Sequence, residues 1–238
     1  MSLVETNPEV LTQQNEVLVA AARRHYDDEL LDYHGFDFHI LENVWPTARK
    51  LAQIAINDGH EIDLPALDAM CVYHDAKEHR PLPKRFATRE RRAASIARHE
   101  LPTLDLGYTA SQIKLVSDGI ITTTAGVRPL SKEGAILKRA DGFNAGSSLT
   151  DFLDSSARII REQRKLERLG VEPSDLERWK DVACKILNAN LDCDPGIEGF
   201  SLPDIDETGL NFVDRGLINI AALATQSVET MSGWLHKG

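Results

Sequence analysis

The sequence predicts an all-α fold on two observations: apolar residues recur at helical spacing along most of the chain, and strand signals are weak. The best strand candidate, GIITTTAGV at 119–127, is short and has no second run with which to form a hairpin. We therefore interpret it as the end of a buried helix. The 238 residues, 42% hydrophobic and 27% charged, are typical of a globular protein and suffice for one large core or two small ones.

The first long helix is predicted over residues 37–58. Its apolar stripe consists of Leu41, Val44, Ala48, Leu51 and Ala55. Pro46 is expected to kink this helix. Asp63 is suited to cap the next helix, and Pro81 and Pro83 are expected to end it. The apolar face of that second helix consists of Leu67, Met70 and Cys71.

Helical patterns continue toward the C-terminal end. Further helices are predicted at 88–100, 109–124, 132–147, 149–169 and 174–191. Ser131 and Ser174 are suitable N-caps for two of them. We interpret 1–193 as one helical body and 194–209 as an acidic loop. The remaining stretch, 210–238, is predicted to be a C-terminal helix that packs on the body or on a partner subunit, so a homodimer is an open alternative.

The composition argues against several classes of function. The net charge of −10 disfavours general DNA or RNA coating, which needs a basic surface, and 6% aromatics are too few for base stacking. Three cysteines, Cys71, Cys184 and Cys193, suggest reduced thiols in a cytosolic protein. No stretch approaches the ~18–20 apolar residues that cross a bilayer, and MSLVETNPEV does not resemble a signal peptide. We therefore expect a cytoplasmic protein without membrane or nucleic-acid partners.

An adjacent histidine and aspartate stand in the largely apolar segment that ends in VYHDAKEHRP. Such a pair is costly to bury unless it is compensated, and imidazole and carboxylate are both ligands for Mn, Fe, Co or Zn. Neighbours on a helix diverge by about 100°, so His74 and Asp75 need further ligands from other segments. His39 in YHGFDFHILENV is expected to border a cleft, and Asp141 in ILKRADGFNAG stands among small residues that let helices approach. These four are the predicted metal ligands.

The resulting pattern, H…HD…D, resembles the HD superfamily of metal-dependent phosphohydrolases. The gaps of 35 residues from His39 to His74 and of 66 from Asp75 to Asp141 are similar to those of the family, and the matching segments cover residues 33–147. The resemblance implies an HD-domain helical bundle in which the four ligands converge at the centre. In this chain additional C-terminal helices follow the bundle.

Within that superfamily, HDAKEHRPLPK and KRADGFNA are similar to the corresponding stretches of bacterial 5'-deoxynucleotidases. The resemblance implies that Glu78 is the acid/base partner. Because Glu78 follows His74 by four residues, the two face the same way if the helix continues. The (p)ppGpp hydrolase branch also has a glutamate at this offset but follows it with aspartate, where this chain has His79. The YHGF context near the first histidine also departs from the deoxynucleotidase pattern.

One divalent metal ion, Mn, Co, Fe, Mg or Zn, is the expected cofactor. Many dinuclear members of the superfamily carry additional histidines between the HD pair and the last aspartate. This chain has His79 and His99 in that span, and Arg89-Glu90 stands where such proteins often have His-Glu. Oxygenase members, which need two irons, are therefore not expected.

Basic residues cluster just after the HD pair: the stretch from 77 to 98 carries +6, which leaves −16 for the remainder. We predict that Lys77, Arg80, Lys84 and Arg85 bind the phosphate of the substrate. Farther along, Arg91, Arg92 and Arg98 are interpreted as a solvated face. A small phosphorylated metabolite, in particular a nucleotide, fits this charge distribution better than a long polyanion.

The predicted activity is hydrolysis of a phosphomonoester, in particular a nucleoside 5'-monophosphate, by a metal-activated water. Asp75 would act as both ligand and catalytic residue, and Glu78 would move the proton. Two alternatives stay open among enzymes, a nucleotide phosphodiesterase and a (p)ppGpp-type pyrophosphohydrolase. A noncatalytic metal- or nucleotide-binding regulatory module is the alternative of another class, and an RNA or acidic-partner surface on 89–98 is a third.

Simpler structural interpretations stand beside these. The His74-Asp75 pair could be a core histidine held by a carboxylate, and Asp141 could pair with Lys138 one turn earlier. Four other histidines are interpreted as surface or capping residues, namely His25, His34, His60 and His236. His99 is expected to be a cation at the C-terminus of a helix, and Trp45 to lie in the core.

Overall fold

The computed structural model describes residues 13–26, 33–77, 80, 82–167, 173–192, 197–202 and 211–235. Within these ranges the chain forms ten α-helices and no β-strand, which confirms the all-α class. The helices are α1 (Gln13–Arg23), α2 (Trp45–Asn57), α3 (Leu64–Tyr73), α4 (Arg89–Glu100), α5 (Ala110–Ile121), α6 (Lys132–Asp141), α7 (Leu149–Glu167), α8 (Pro173–Leu191), α9 (Phe212–Ala224) and α10 (Val228–Trp234). A π-helix (Phe36–Val44) precedes α2, and short 3₁₀-helices follow α4 (Leu101–Thr103) and α6 (Phe143–Gly146). In this described part, no helix combines the length and apolar character needed to cross a membrane.

Helix α3 lies at the centre of the main core. Its residues 66–73 are all buried, and it packs against α1, α2, α5 and α6. A helix that is apolar nearly all round is stable only when other elements surround it. Its single charged residue, Asp68, accepts hydrogen bonds from the indole Nε1 of Trp45 at 2.6 Å and from Arg49. Asp63 caps the helix as predicted, and Trp45 is confirmed as a core residue.

The segment predicted as one kinked α-helix over 37–58 is instead two helices of different kind. The first is the π-helix, whose last backbone bond runs from the N–H of Trp45 to the carbonyl of Ile40, five residues back. Pro46 has no N–H and stands in the first turn of α2, where a missing donor costs nothing. The proline therefore marks the start of a new helix and does not kink an old one. Wide turns of this kind are rare and occur often at functional sites.

Helix α3 ends much earlier than the prolines at 81 and 83 predict. It stops at Tyr73, and residues 74–77 form turns in which Lys77 has a positive φ of 64°. Tertiary bonds hold this conformation, since the N–H of Lys77 donates to the carbonyl of His25 at 3.0 Å. The carbonyls of Lys77 and Arg80 in turn accept from the guanidinium of Arg92. The helix therefore does not continue past His74, which was the condition under which Glu78 was expected to face the same way as His74.

The predicted helices at 88–100, 109–124, 149–169 and 174–191 correspond to α4, α5, α7 and α8. The predicted helix 132–147 is shorter, because α6 ends at Asp141 and a 3₁₀-helix follows. Ser131 caps α6 as expected, whereas Ser174 falls inside α8, which begins at Pro173. The run 119–127 is the end of α5 and the turn after it, as interpreted.

The C-terminal helices pack on one another and on the turn that follows α6. Residues predicted as one helix from 210 onward form α9 and α10, and Ser227 caps the second of these. Helix α9 holds the 143–147 turn, since Arg215 donates to the carbonyl of Gly146 at 2.6 Å and Asn219 to that of Ala145 at 2.9 Å. Most of the predicted acidic loop 194–209 lies outside the described residues.

Candidate metal centre

The four predicted ligands come from three separate elements and meet at one point. His39 projects from the π-helix, His74 follows the last residue of α3, Asp75 stands in the turn after it, and Asp141 ends α6. One donor atom of each lies within 4.8 Å of those of the other three. His39 was expected to border a cleft but is buried, with its Nε2 directed at the cluster. The early end of α3 lets the adjacent histidine and aspartate face the same point.

The spacing of the donor atoms fits a single metal ion. His39 Nε2 lies 3.3 Å from His74 Nε2, from Asp75 Oδ2 and from Asp141 Oδ1. His74 Nε2 lies 3.5 Å from Asp75 Oδ2 and 3.4 Å from Asp141 Oδ1. Donors at about 2.0–2.2 Å from a tetrahedral ion are separated by about 3.3–3.6 Å, so these five distances match the edges of such a shell. Two imidazoles and two carboxylates are also a common ligand set for transition metals.

The orientation of the histidines agrees with metal binding. His74 Nδ1 lies 2.9 Å from the carbonyl oxygen of Cys71, an acceptor, so Nδ1 carries a proton, and loss of the Nε2 proton leaves a lone pair directed at the cluster. His39 Nδ1 is buried without a hydrogen-bond partner in the part of the chain that the structure describes. The two Nε2 atoms face each other, and they cannot both carry protons at 3.3 Å. One proton or one metal ion between them satisfies this contact.

Strong electrostatic coupling marks the cluster. Burial acts to lower the pKa of His74, but the carboxylates of Asp75 and Asp141 raise it to about 10. Burial raises the pKa of Asp75, but the nearby histidines lower it to about 2. The same opposing effects leave the pKa of Asp141 well below its usual value. The cluster therefore stabilises positive charge at its centre, which a divalent ion supplies better than one proton.

The centre is closed on the histidine side and open on the carboxylate side. The side chains of His39 and His74 are 2% and 0% exposed, whereas those of Asp75 and Asp141 are 16% and 27% exposed. Solvent therefore reaches the centre past the carboxylates. Lys138, considered above as a surface partner of Asp141, is buried, and its ammonium donates to the carbonyls of Thr122 and Thr124 after α5.

The predicted phosphate-binding residues occupy the segment after the centre. Lys77 is half-buried two residues from Asp75, and three others are exposed on the surface, namely Arg80, Lys84 and Arg85. Their contact with phosphate stays a prediction, and Glu78 with its predicted proton transfer lies outside the described residues. Arg92 was interpreted as solvated but is buried, because its guanidinium binds two backbone carbonyls.

Sequence reasoning missed two residues beside the centre, His34 and Glu162. His34 was interpreted as a surface or capping residue, yet its ring lies 5.4 Å from that of His39, and its Nδ1 contacts the carboxylate of Glu162 in α7. The two are 128 positions apart, so no local pattern links them. His25 was likewise interpreted as exposed but is buried, with Nε2 2.9 Å from Glu100 Oε1.

Other single-residue interpretations agree with the structure. His99 lies exposed in the last turn of α4, the position predicted for it, and Cys71 is a buried free thiol in α3. His60 is half-buried with its ring edge-on to Phe200. His236 and Cys193 lie outside the described residues.

Comparisons with known proteins do not assign the chain to a family. No protein-family model matches it, no curated protein matches it, and no solved structure matches it. The candidate metal centre is therefore supported by the geometry of four residues, and the resemblance to the HD superfamily stays a prediction from the sequence.

Proposed function

We propose that this chain is a metal-dependent phosphohydrolase of the HD type, and that it cleaves phosphomonoesters, with nucleoside 5'-monophosphates as the substrate class. The observation that carries the proposal is the cluster of His39, His74, Asp75 and Asp141, whose donor atoms are spaced for one divalent ion. When bound, such an ion supplies acidification of a water molecule and polarisation of a phosphoryl oxygen.

The residues of the chain have distinct roles in this proposal. His39, His74 and Asp141 would hold the ion, and Asp75, on the open side of the centre, would hold it and orient the attacking water. Glu78, three residues after Asp75, would take the proton from the water as it attacks phosphorus and give it to the leaving oxygen as the P–O bond breaks. That pathway needs only a carboxyl within hydrogen-bond reach of the water and of the leaving group.

The charge distribution favours a small phosphorylated substrate. A divalent ion and the carboxylates of Asp75 and Asp141 carry no net charge together, so a phosphate needs further cations. The basic stretch that begins at Lys77 supplies them, with +6 between residues 77 and 98. The remainder of the chain carries −16 and repels long polyanions, which leaves mononucleotides as the best fit.

The test is release of phosphate from ribo- and deoxynucleoside monophosphates, and of pyrophosphate from (p)ppGpp, each with Mn²⁺, Co²⁺, Mg²⁺ and Zn²⁺. The Asp75→Asn variant is compared with Asp58→Asn, an exposed aspartate at the end of α2. We expect metal-dependent release that is lost with the first variant and retained with the second. Release of pyrophosphate from (p)ppGpp alone would replace the monoesterase proposal, and metal binding without any release would favour a regulatory module.

A further inference from the structure

Arg158 in α7 is half-buried, and its guanidinium has no hydrogen bond and no ion pair within the part of the chain that the structure describes. It contacts an aromatic ring, since its carbon Cζ lies 4.3 Å from the ring centre of Phe38. Asp154 and Glu162 stand one turn away on either side in α7, yet neither of these described residues forms an ion pair with it. A guanidinium carries five N–H donors and is costly to bury while they are unpaired. Arg158 therefore presents donors that a ligand can satisfy.

Helix α7 lies beside two of the segments that supply the metal ligands. One turn after Arg158, the carboxylate of Glu162 accepts hydrogen bonds at 2.8 Å from two backbone N–H groups of the segment 33–38, which leads to His39. Arg158 and Glu162 are four residues apart, so they share the face of α7 that contacts this segment. The same helix also packs against the 3₁₀-helix that follows Asp141. Arg158 is therefore carried by a helix that borders the candidate metal centre.

Two aromatic rings connect the guanidinium of Arg158 to a metal ligand. The ring of Phe38 lies 6.0 Å from that of Tyr33, and the ring of Tyr33 lies 5.0 Å from that of His39. Phe38 is also the direct neighbour of His39 in the π-helix. A cation–π contact uses no N–H donor, so it holds the guanidinium near the centre and leaves its donors for other contacts. The long stem of an arginine lets the group move from the ring toward a phosphoryl group bound at the centre.

We propose that Arg158 is a substrate-binding residue whose guanidinium donates hydrogen bonds to phosphoryl oxygens of the substrate at the metal centre. This inference rests on the proposed function, in which a divalent ion and two carboxylates carry no net charge together and the phosphate needs further cations. The planar fork of a guanidinium matches two phosphate oxygens, and a half-buried position strengthens such bonds because water competes less for them. Arg158 would act together with the basic stretch that begins at Lys77, from a distant part of the chain.

The test measures the binding of inorganic phosphate to the Mn²⁺-loaded full chain by titration calorimetry, with Mn²⁺ affinity measured separately. Arg158→Met retains most of the apolar stem that packs near Phe38 but no donor. We expect it to weaken phosphate binding about tenfold or more, the effect of one lost charge-assisted hydrogen bond, and to leave Mn²⁺ affinity unchanged. Arg158→Gln, a second neutral replacement, should weaken phosphate binding in the same way. Arg158→Lys keeps the charge without the fork and should recover part of the loss.

The matched control is Arg178→Met, which removes the same charge from an exposed position in α8 and should leave phosphate affinity unchanged. Unchanged phosphate affinity in a folded Arg158→Met or Arg158→Gln variant would overturn the inference. An equal loss in Arg178→Met would also overturn it, because the effect would then come from net charge alone. Loss of Mn²⁺ affinity in the Arg158 variants would overturn it as well, because Arg158 would then support the metal and not the phosphate. If phosphate binds through Arg158 but no ester is cleaved, the proposed function fails while this inference stands.

Discussion

Replacement of Arg92 by methionine tests whether tertiary bonds hold the turn that carries Asp75. Arg92 is 4% exposed, and its guanidinium donates to the carbonyl of Arg80 at 3.0 Å and to that of Lys77. Methionine retains most of the apolar stem but neither donor. The variant therefore removes the bonds to the carbonyls of Lys77 and Arg80 and leaves the packing of α4 largely intact.

The expected loss follows from these contacts. A hydrogen bond from a charged donor contributes about 1.5–3 kcal/mol. Arg80 is exposed, so water can replace the bond to its carbonyl, whereas Lys77 is half-buried and regains less. We therefore expect Arg92→Met to lower the free energy of unfolding by about 2–3 kcal/mol.

The assay is urea unfolding followed by circular dichroism, with Arg91→Met as the matched control. Arg91 is the exposed neighbour of Arg92 in α4, and its replacement should change the free energy of unfolding by less than about 0.5 kcal/mol. The urea midpoint should fall for Arg92→Met at an unchanged m-value. Equal midpoints for the two variants would refute the claim that Arg92 holds the turn.

Two further predictions concern packing and pH. A Cβ at Gly146 would lie 2.3 Å from Phe212 Cδ2, so Gly146→Ala should lower the free energy of unfolding in urea by about 1–3 kcal/mol. Gly233 has open space around it, so Gly233→Ala should not lower this free energy. Because the pKa of metal-free His74 is raised to about 10, metal binding below that pH displaces a proton. The Kd for Mn²⁺ should then fall about tenfold per unit between pH 7 and pH 9, as calorimetry can measure.

Each of these predictions can fail in a defined way. Equal stability of Gly146→Ala and Gly233→Ala would show that α9 does not pack closely on the turn after α6. A Kd for Mn²⁺ that stays constant from pH 7 to pH 9 would show that no proton leaves His74 when the metal binds. The sign follows from the raised pKa, since a group that is protonated in the free protein competes with the ion at low pH.

The fold class and the ligand set could be predicted from the sequence because both depend on regular spacing of particular residue types. Apolar spacing indicates helices wherever a stripe faces a core, and the caps Asp63 and Ser131 lie at the helix starts where they were expected. The pairing of His39 with His74 and Asp75 follows from a motif, H…HD…D, that contains all the ligands. Such features depend on residue type and on spacing along the chain.

The remaining features depend on contacts between distant residues. Helix α3 was expected to continue past Tyr73, but bonds from Arg92 and to His25 hold the next residues in turns. The pairing of His34 with Glu162 joins segments 128 residues apart and leaves no periodic signal. The π-helix likewise ends on a backbone hydrogen bond that spans five residues, where an α-helix would span four. The spacing of apolar residues does not distinguish these two kinds of helix.

The central claim is that His39, His74, Asp75 and Asp141 bind one divalent ion, and titration of the metal-free chain with Mn²⁺ or Zn²⁺ tests it most directly. We predict one ion per chain. Loss of a residue that only orients a metal ligand weakens metal affinity roughly 10–100-fold. Because Asp141 is itself a predicted ligand, Asp141→Asn should weaken metal affinity by more than this. Asp58→Asn should bind the metal as tightly as the unaltered chain does. Unchanged affinity in Asp141→Asn, or no ion bound by the unaltered chain, would contradict the account.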